Sequence, residues 1–438
     1  MTNFQTILLG IFIGGFVFAV LIFSGLIDFG SKDKVDTDLK GVVTIWGTLP
    51  SSYFTEARDL VASQFDELKV NYQKKDESTY QTELIEAFAK GQGPDIYIIS
   101  TDMIKENEPF VYKIPYLSYP EKNFKTSYID GAEIYLDEQG IFGFPILSDP
   151  LVLYYNNDIL SNNSIVNPPK TWDELFDLNS KLTKKDGNGI ISQSMIALGG
   201  YSNVNHAKDI LATLLIQNGN NLVKKRVSGG ELIYSSIIKD NPLGYSVSPI
   251  DATLDFYMIF SNMSSPYYSW NRALPRSIDM FTSGKLAFYI GRASELFRIQ
   301  SLNPNLSFNV VELPQMKDTN FRRTYAEIYS LVVNKKSANL SSALGVAGHM
   351  AQAEASKTIS IASSLPPVLR SLLAEKPKDN AYLETFFDSA IISRSWLDPN
   401  EKKTEVIFRD LIENISSNAL SSREAINKAN SQIDLLIN

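Results

Sequence analysis

The amino-acid sequence predicts an α/β fold with two domains, on the evidence of its length, its composition and its alternation of strands and helices. A chain of 438 residues exceeds what one hydrophobic core usually supports. Hydrophobic residues make up 44% of it and charged residues 21%, which is ordinary for a globular protein. Alternating strand and helix patterns are typical of a mostly parallel sheet flanked by helices.

The alternation begins just after residue 40. Val42–Trp46 is rich in β-branched residues and predicts a strand, and apolar residues at helical spacing then predict a helix as far as Leu68. A second helix is predicted through Tyr80–Phe88, and Gly93-Pro94-Asp95 introduces a strand at 96–99. The body of the chain is therefore predicted to open in the order strand, helix, helix, strand.

A further strand and helix follow in the middle of the chain. Leu151–Tyr155 is a short apolar and aromatic run between Pro150 and Asn156, which predicts a buried strand. Thr171 then begins a predicted helix, because its hydroxyl and the Glu174 side chain can satisfy backbone amides reciprocally, as in a capping box.

The N-terminal residues predict a membrane anchor. Residues 7–27 carry no charge, and at about 1.5 Å per residue they match the roughly 30 Å of bilayer hydrocarbon. A cleaved signal peptide is the alternative, but its apolar region would be shorter, follow basic residues and end in a small-x-small site. We therefore expect a short N-tail at 1–6, a transmembrane helix at 7–27 and a polar linker at 28–40.

The composition also argues against several functions. A net charge of −8 without a sustained basic stripe argues against nucleic acid as a partner, and the absence of cysteine excludes disulfides and thiolate chemistry. His206 and His349 lack metal-ligand spacing, and Gly284-Lys285 lacks the upstream glycine of a phosphate-binding loop. No carboxylate pair stands out as catalytic. We expect no enzyme, no cofactor and no metal.

Short motifs along the chain carry a family resemblance. They are the strand end at Trp46, Gly93-Pro94-Asp95-Ile96, the segment Phe142–Asn156, Asp279–Gly291 and Tyr329–Lys335. In order and approximate spacing they resemble the extracellular solute-binding proteins of sugar-importing ABC transporters, of the maltodextrin-binding type. The resemblance covers nearly everything beyond Lys40. It implies a two-lobe, periplasmic-binding-protein-like (type II) fold that holds a saccharide between its lobes and delivers it to an ABC transporter permease.

The resemblance also implies domain boundaries and a location. Lobe one is expected at 41–147 plus 306–334, and lobe two at 148–305 plus 335–438. The binding domain is expected outside the plasma membrane, behind a single membrane pass. This orientation follows from the family, since the N-tail carries no Lys or Arg to set it.

Candidate ligand contacts follow from the chemistry of sugars. Aromatic rings pack on the apolar face of a sugar, and carboxylates or amides bind its hydroxyls. Trp46 and Asp102 lie on loops after predicted parallel strands, where open α/β sheets hold ligands. By the resemblance, Asp149 is the carboxylate that lines the cleft. The candidates on lobe two and the weaker ones are Trp270, Tyr267, Tyr268, Arg292, Tyr325, Glu327 and Trp396.

These assignments have alternatives. Each aromatic candidate could be a core residue, and Asp102 and Asp149 could be a helix cap and a hinge acceptor. Arg292 departs from the family, which often has an aromatic residue there; it could bind an acidic solute through a bidentate pair or pair with Glu295. Functional alternatives are a glycan-active enzyme, a peptide-capturing relative, and a surface sensor or adhesion module.

Overall fold

The body of the protein begins with the predicted strand, and the helix after it is shorter than predicted. The computed structural model describes residues 39–228, 231–317, 319 and 321–437. β1 covers Gly41–Gly47, and the helix that follows ends at Ala62 instead of Leu68. Leu68 begins β2 (Leu68–Lys74), where Leu68 and Val70 are buried and Lys69 is exposed. That period of two is the pattern of a strand with one buried face.

The remaining strands and the helices are distributed through the rest of the chain. The strands are β3 (Ile96–Ile99), β4 (Leu136–Asp137), β5 (Gly140–Ile141), β6 (Phe144–Asn156), β7 (Lys184–Lys185), β8 (Ile191–Ile196), β9 (Val223–Ser228), β10 (Glu231–Ser236), β11 (Leu286–Arg292), β12 (Phe308–Glu312), β13 (Thr324–Val333) and β14 (Ser393–Arg394). The α-helices are Thr55–Ala62, Tyr80–Ala89, Ile104–Asn107, Glu121–Ser127, Asn157–Asn162, Glu174–Leu182, Ala207–Gln217, Pro249–Met258, Ser277–Thr282, Leu296–Leu302, Leu340–Met350, Ala353–Ser363, Arg370–Leu373, Ala381–Ile391, Glu401–Ser416 and Ser422–Ile437.

Ten strands within the described residues form one mixed sheet. Its order is β2-β1-β3-β13-β6-β11-β8-β7, with β12 added on β6 and β14 on β13. β1 is parallel to β2 and β3, and β8 is parallel to β11, but β13 and β6 are antiparallel to each other and to their other neighbours in this order. The prediction of a mostly parallel sheet is therefore wrong at the centre of the sheet, where β13 and β6 each run antiparallel to the strands on both sides.

β6 and β13 are shared by two lobes. The first part of β6 pairs with β13, from Phe144 opposite Leu331 to Pro150 opposite Ala326. The last part of β6 pairs with β11 on one edge and β12 on the other. We call the part of the molecule built on β1, β2 and β3 the first lobe, and the part built on β8, β11 and β12 the second lobe. The chain crosses between them along these two strands.

Both predictions for the middle of the chain need correction. β6 begins at Phe144, seven residues before the predicted start, and includes Pro145 and Pro150. Prolines fit there because this part of β6 forms its strand ladder along one edge, with β13. The helix predicted from Thr171 begins at Glu174, whose carboxylate accepts a hydrogen bond from the Lys170 amide at 2.9 Å.

Helices cover the faces of both lobes. Leu340–Met350 and Ala353–Ser363 pack against Thr55–Ala62 of the first lobe. Ala207–Gln217, which follows β8, is buried along its whole length. The lobe boundaries expected from the sequence stay a prediction. These contacts favour assigning residues 340–363 to the first lobe instead of the second.

The predicted transmembrane helix lies outside the described residues. Residues 7–27, the N-tail and most of the linker precede residue 39, where the described chain begins. Among the described helices, none combines the length and the apolar character needed to cross a membrane.

Candidate functional site

Loops from both lobes surround one cavity. β1 and β3 are parallel neighbours, so their carboxyl ends open on the same edge of the sheet. A cavity of about 400 Å³ lies where residues 48–50, just after β1, face the segment that follows β11. Phe297, which is 55% exposed, Tyr53 and Tyr329 give it aromatic surfaces. Its acidic and basic lining residues are Glu77, Asp149, His206, Arg292, Glu295 and Arg298.

Arg292 joins elements of the second lobe to a shared strand. Its Nη2 lies 2.8 Å from Asp209 Oδ2, on the helix Ala207–Gln217, and its Nη1 forms an ion pair with Glu327 of β13. Its carbonyl accepts a hydrogen bond from the Tyr154 hydroxyl at 2.9 Å. Burial disfavours the charge, but Asp209, Tyr325, Asp149 and Tyr329 together outweigh burial and hold the pKa of Arg292 above its ordinary value. The guanidinium is thus already bound by protein carboxylates.

Asp149 lies where the chain crosses between the lobes. It stands opposite Glu327 in the register of β6 and β13 and is almost fully buried. Its Oδ1 accepts a hydrogen bond from the Ser294 amide at 2.9 Å. Burial raises the pKa of Asp149, against the opposing effects of Arg292 and Ser294. Asp149 therefore accepts a hydrogen bond where the chain crosses between the lobes, and it also lines the cavity.

His206 and Glu295 connect two loops of the second lobe. His206 has a φ of 57° just before the helix Ala207–Gln217, and its Nε2 lies 2.9 Å from Glu295 Oε2. The Tyr289 hydroxyl and the Arg292 amide donate to the same oxygen. Burial would raise the pKa of Glu295, but His206 and these donors lower it. A Cβ at Gly291 would lie 2.6 Å from that oxygen, so glycine leaves the space that Glu295 occupies.

A second buried ion pair lies next to the first. Lys208 Nζ lies 2.9 Å from Asp398 Oδ2, and the Thr404 hydroxyl donates to the same carboxylate. Burial alone would lower the pKa of Lys208, but Asp398, Asp209 and Asp102 together raise it. Burial raises the pKa of Asp398 despite this partner. The pair holds the start of the helix Ala207–Gln217 against the segment before Glu401–Ser416.

The two first-lobe candidates lie at the edge where the strands end. Trp46 is half-buried on β1, and Lys75 Nζ lies 3.6 Å from the centre of its ring, a cation–π contact. Asp102 follows β3 and accepts a hydrogen bond from the Ser100 hydroxyl. Solute contact by either residue stays a prediction.

The aromatic candidates of the second lobe are mostly packed inside it. Trp270 is fully buried, and its indole nitrogen donates to Asn203 Oδ1 at 3.1 Å. The Tyr325 side chain is buried, while its amide donates to Thr213 Oγ1. Tyr267 packs against Phe176, Tyr268 contacts Lys185, and Trp396 is buried beside Phe408. The structure brings Asp149 and Arg292 together in the cavity lining, whereas Trp46, Asp102, Trp270 and Tyr325 do not line it.

Comparison with known families decides the class of protein. The sequence pattern described as "Bacterial extracellular solute-binding protein" matches residues 55–385, more than half of the chain. The chain belongs to this family of solute-binding proteins.

Solved structures share the fold of this solute-binding protein. The sugar-binding protein MalE from Xanthomonas citri matches with a TM-score of 0.71 at 17% identity, covering 91% of this chain and 97% of that one. The cyclic α-maltosyl-1,6-maltose binding protein from Arthrobacter globiformis matches at 0.71 and 14%, covering 91% and 99%. An ABC substrate-binding protein from Listeria monocytogenes, in complex with cycloalternan, matches at 0.66 and 17%, covering 90% and 98%. The expected two-lobe fold is confirmed.

Family membership also bears on the catalytic alternatives. The family is one of binding proteins, which agrees with the expectation that the chain is not an enzyme. Within the described part of the chain, no group of three or more His, Cys, Asp or Glu side chains is arranged to hold a metal ion.

Sequence reasoning missed the charged groups that surround Arg292 in this solute-binding protein. His206, Lys208 and Asp209 come just before or inside an apolar helix, and Lys208 and Asp209 are buried there. Buried charges need partners, so the adjacent Lys and Asp in an otherwise apolar helix could have predicted a buried ion-pair network. Their partners could not be identified in the same way, because Asp398 lies 190 residues from Lys208.

Proposed function

We propose that the protein is a membrane-anchored, extracytoplasmic binding protein that captures a carbohydrate between its lobes and delivers it to an ABC transporter permease. The observation that carries this proposal is the 400 Å³ cavity between loops of the two lobes, where aromatic rings stand beside carboxylates. Such a lining suits a sugar, which offers apolar ring faces and hydroxyl groups. One fold relative named for binding cyclic α-maltosyl-1,6-maltose and another in complex with cycloalternan support the same class of solute.

A neutral saccharide fits the cavity better than an acidic one. The sequence left open whether Arg292 marks an acidic solute. Its Nη1 and Nη2 pair with Glu327 and Asp209, and its buried Nε has no partner among the described residues, so a bidentate pair with a solute carboxylate would compete with these two ion pairs. We therefore expect uronic acids to bind more weakly than the matching neutral sugars.

The saccharide proposal is tested by thermal unfolding of the full-length chain. The screen includes maltose, maltotetraose, cycloalternan, uronic acids, amino acids and short peptides. A solute that binds only the folded state, present at about 100 times its dissociation constant, adds roughly 2.7 kcal/mol to the free energy of unfolding. We expect a neutral saccharide to raise the midpoint.

A matched pair of variants locates the binding. Phe297 and Leu302 lie on the same helix and are both about half exposed, but Phe297 lines the cavity. Phe297→Ala should reduce the saccharide-induced shift by weakening ring contact, whereas Leu302→Ala should keep it. A panel without any saccharide shift would contradict the proposal, and conversion of a hit into product would favour the glycan-active enzyme.

The membrane anchor is tested by placing charge in residues 7–27. Val17 lies at the centre of this uncharged run. Arginine at the centre of a spanning helix costs about 2.5 to 3.5 kcal/mol, so Val17→Arg together with Val20→Arg should move the protein from the membrane to the soluble fraction. Val35→Arg in the linker is the control and should leave it in the membrane. Unchanged fractionation of the double variant would refute the anchor.

A further inference from the structure

Carboxylates from the two lobes meet where the segment after β3 faces the start of the helix Glu401–Ser416. Asp102 and Glu106 lie in the segment after β3 of the first lobe. Asp398 and Glu401 lie at the start of the helix Glu401–Ser416, which packs against Ala207–Gln217 of the second lobe. The Asn400 side-chain amide donates a hydrogen bond to Glu106 and so joins the two sides. We call Asp102, Glu106, Asp398 and Glu401 the interlobe carboxylate cluster.

The cluster holds more negative than positive charge. Lys208 forms its ion pair with Asp398 at 2.9 Å. Arg292 is a partly buried cation nearby, and Asp209 and Glu327 bind it. The exposed Lys402 acts on Glu106 from the edge of the cluster. The charged groups that act on Glu401 are Asp102, Lys208, Asp398 and Arg292. Bringing the lobes together therefore places like charges close to each other, which opposes closure while all of them are ionised.

The surroundings raise the pKa of three carboxyls of the cluster. Asp102, followed by partial burial, raises the pKa of Glu401 to about 7. Burial raises the pKa of Glu106 despite its hydrogen bond with Asn400, and burial raises the pKa of Asp398 despite Lys208. Each of these carboxyls therefore holds a proton more readily than it would in water. The effect on Glu401 depends on the approach of a first-lobe residue, Asp102, to a second-lobe residue.

We propose that closure of the lobes takes up protons at the interlobe carboxylate cluster, so that the closed form becomes more populated as the surroundings turn acidic. This rests on the proposed function of solute capture, because a shift toward the closed form then strengthens capture. When the lobes separate, Glu401 moves away from Asp102 and its pKa falls toward the ordinary value of 4.5. Between 4.5 and about 7 the closed form binds a proton that the open form releases. Acid therefore favours closure in this window, and closure weakens as the pH rises through about 7.

The absence of cysteine makes the lobe separation measurable. Leu117 of the first lobe and Met263 of the second are 97% and 80% exposed, so spin labels attached through Leu117→Cys and Met263→Cys should leave the fold intact. Their separation in the full-length chain is measured by double electron–electron resonance without solute. For one proton, the closed-to-open ratio should rise by at most about tenfold per pH unit between about pH 7 and about pH 5. Because Glu401 is partly exposed, high salt should reduce the effect.

Two variants identify the group that titrates. Glu401→Gln removes one charge from the cluster and should reduce the pH dependence of the closed fraction to the part that Glu106 and Asp398 contribute, with more closure at pH 8 than the unmodified chain. Glu413→Gln on the same helix is the control, since Glu413 is exposed and bonds with Ser202 outside the cluster; it should titrate like the unmodified chain.

Distances that do not change with pH would overturn the proposal, and so would a Glu401→Gln variant that titrates like the unmodified chain. The distance measurement needs no solute. A failed saccharide screen would therefore contradict the proposed function and leave a pH-dependent distance standing, whereas constant distances in a protein that binds saccharide would overturn the proton linkage alone.

Discussion

Replacing Arg292 by methionine should lower the free energy of unfolding by about 3 to 5 kcal/mol, because removing one partner of a buried ion pair leaves the others uncompensated. Arg292 is the common partner of Asp209 and Glu327, both of which are buried. Asp149 also loses a nearby positive charge. Methionine keeps most of the side-chain volume, so the expected loss comes from charge and hydrogen bonding more than from packing.

The measurement is urea-induced unfolding at pH 7. The exposed Arg272 is the control, and Arg272→Met should change the free energy of unfolding by less than about 0.5 kcal/mol. Adding Glu327→Gln to Arg292→Met should recover part of the loss, since the variant then buries one carboxylate fewer. A loss below about 1 kcal/mol for Arg292→Met would mean that the network behaves like a solvent-exposed ion pair.

Replacing Lys208 by methionine should also cost about 3 to 5 kcal/mol at neutral pH, because it leaves Asp398 buried without its cation. The loss should depend on pH. Burial raises the pKa of Asp398 even with Lys208 present, and removal of Lys208 raises it further. A carboxyl whose folded-state pKa lies above its unfolded value destabilises the fold at higher pH, and this destabilisation disappears as protonation relieves it. The loss should therefore be larger at pH 8 than at pH 5.

Urea-induced unfolding at the two pH values tests this expectation. Lys403→Met, an exposed lysine on the helix Glu401–Ser416, serves as the control. Lys208→Met combined with Asp398→Asn should be more stable than Lys208→Met alone at pH 8 and should lose most of the pH dependence. Equal losses at pH 5 and pH 8 would show that Asp398 does not control the stability of the variant.

The fold was predictable where local patterns decide it. β1, the helix Tyr80–Ala89 and β3 follow from their runs of apolar residues, and these elements place Trp46 and Asp102 at one edge of the sheet. β6 was recognised only in part, because proline is an ordinary stop signal and Pro150 stands inside the strand. The prediction had no way to find the partner strand that makes proline acceptable there.

The site was less predictable, since its chemistry depends on distant parts of the chain. Arg292 was chosen for its charge, but its role depends on Asp209, which is 83 residues away. Trp270 was chosen as an aromatic platform, and its indole instead bonds with Asn203 inside the second lobe. A sequence gives the type of a side chain, whereas tertiary packing decides whether that side chain faces a cavity or the core.

The position of β13 has a consequence for synthesis of the protein. Ser330–Val333 pairs with Ile96–Ile99, although 230 residues of chain lie between Ile99 and Ser330. A ribosome makes the chain from its N-terminus, so this edge of β3 lacks its partner until β13 has emerged. An unpaired strand edge is a template for association with other chains. We therefore infer that the first lobe cannot be completed during translation before most of the second lobe has been made, and that this edge of β3 stays open to such association in that interval.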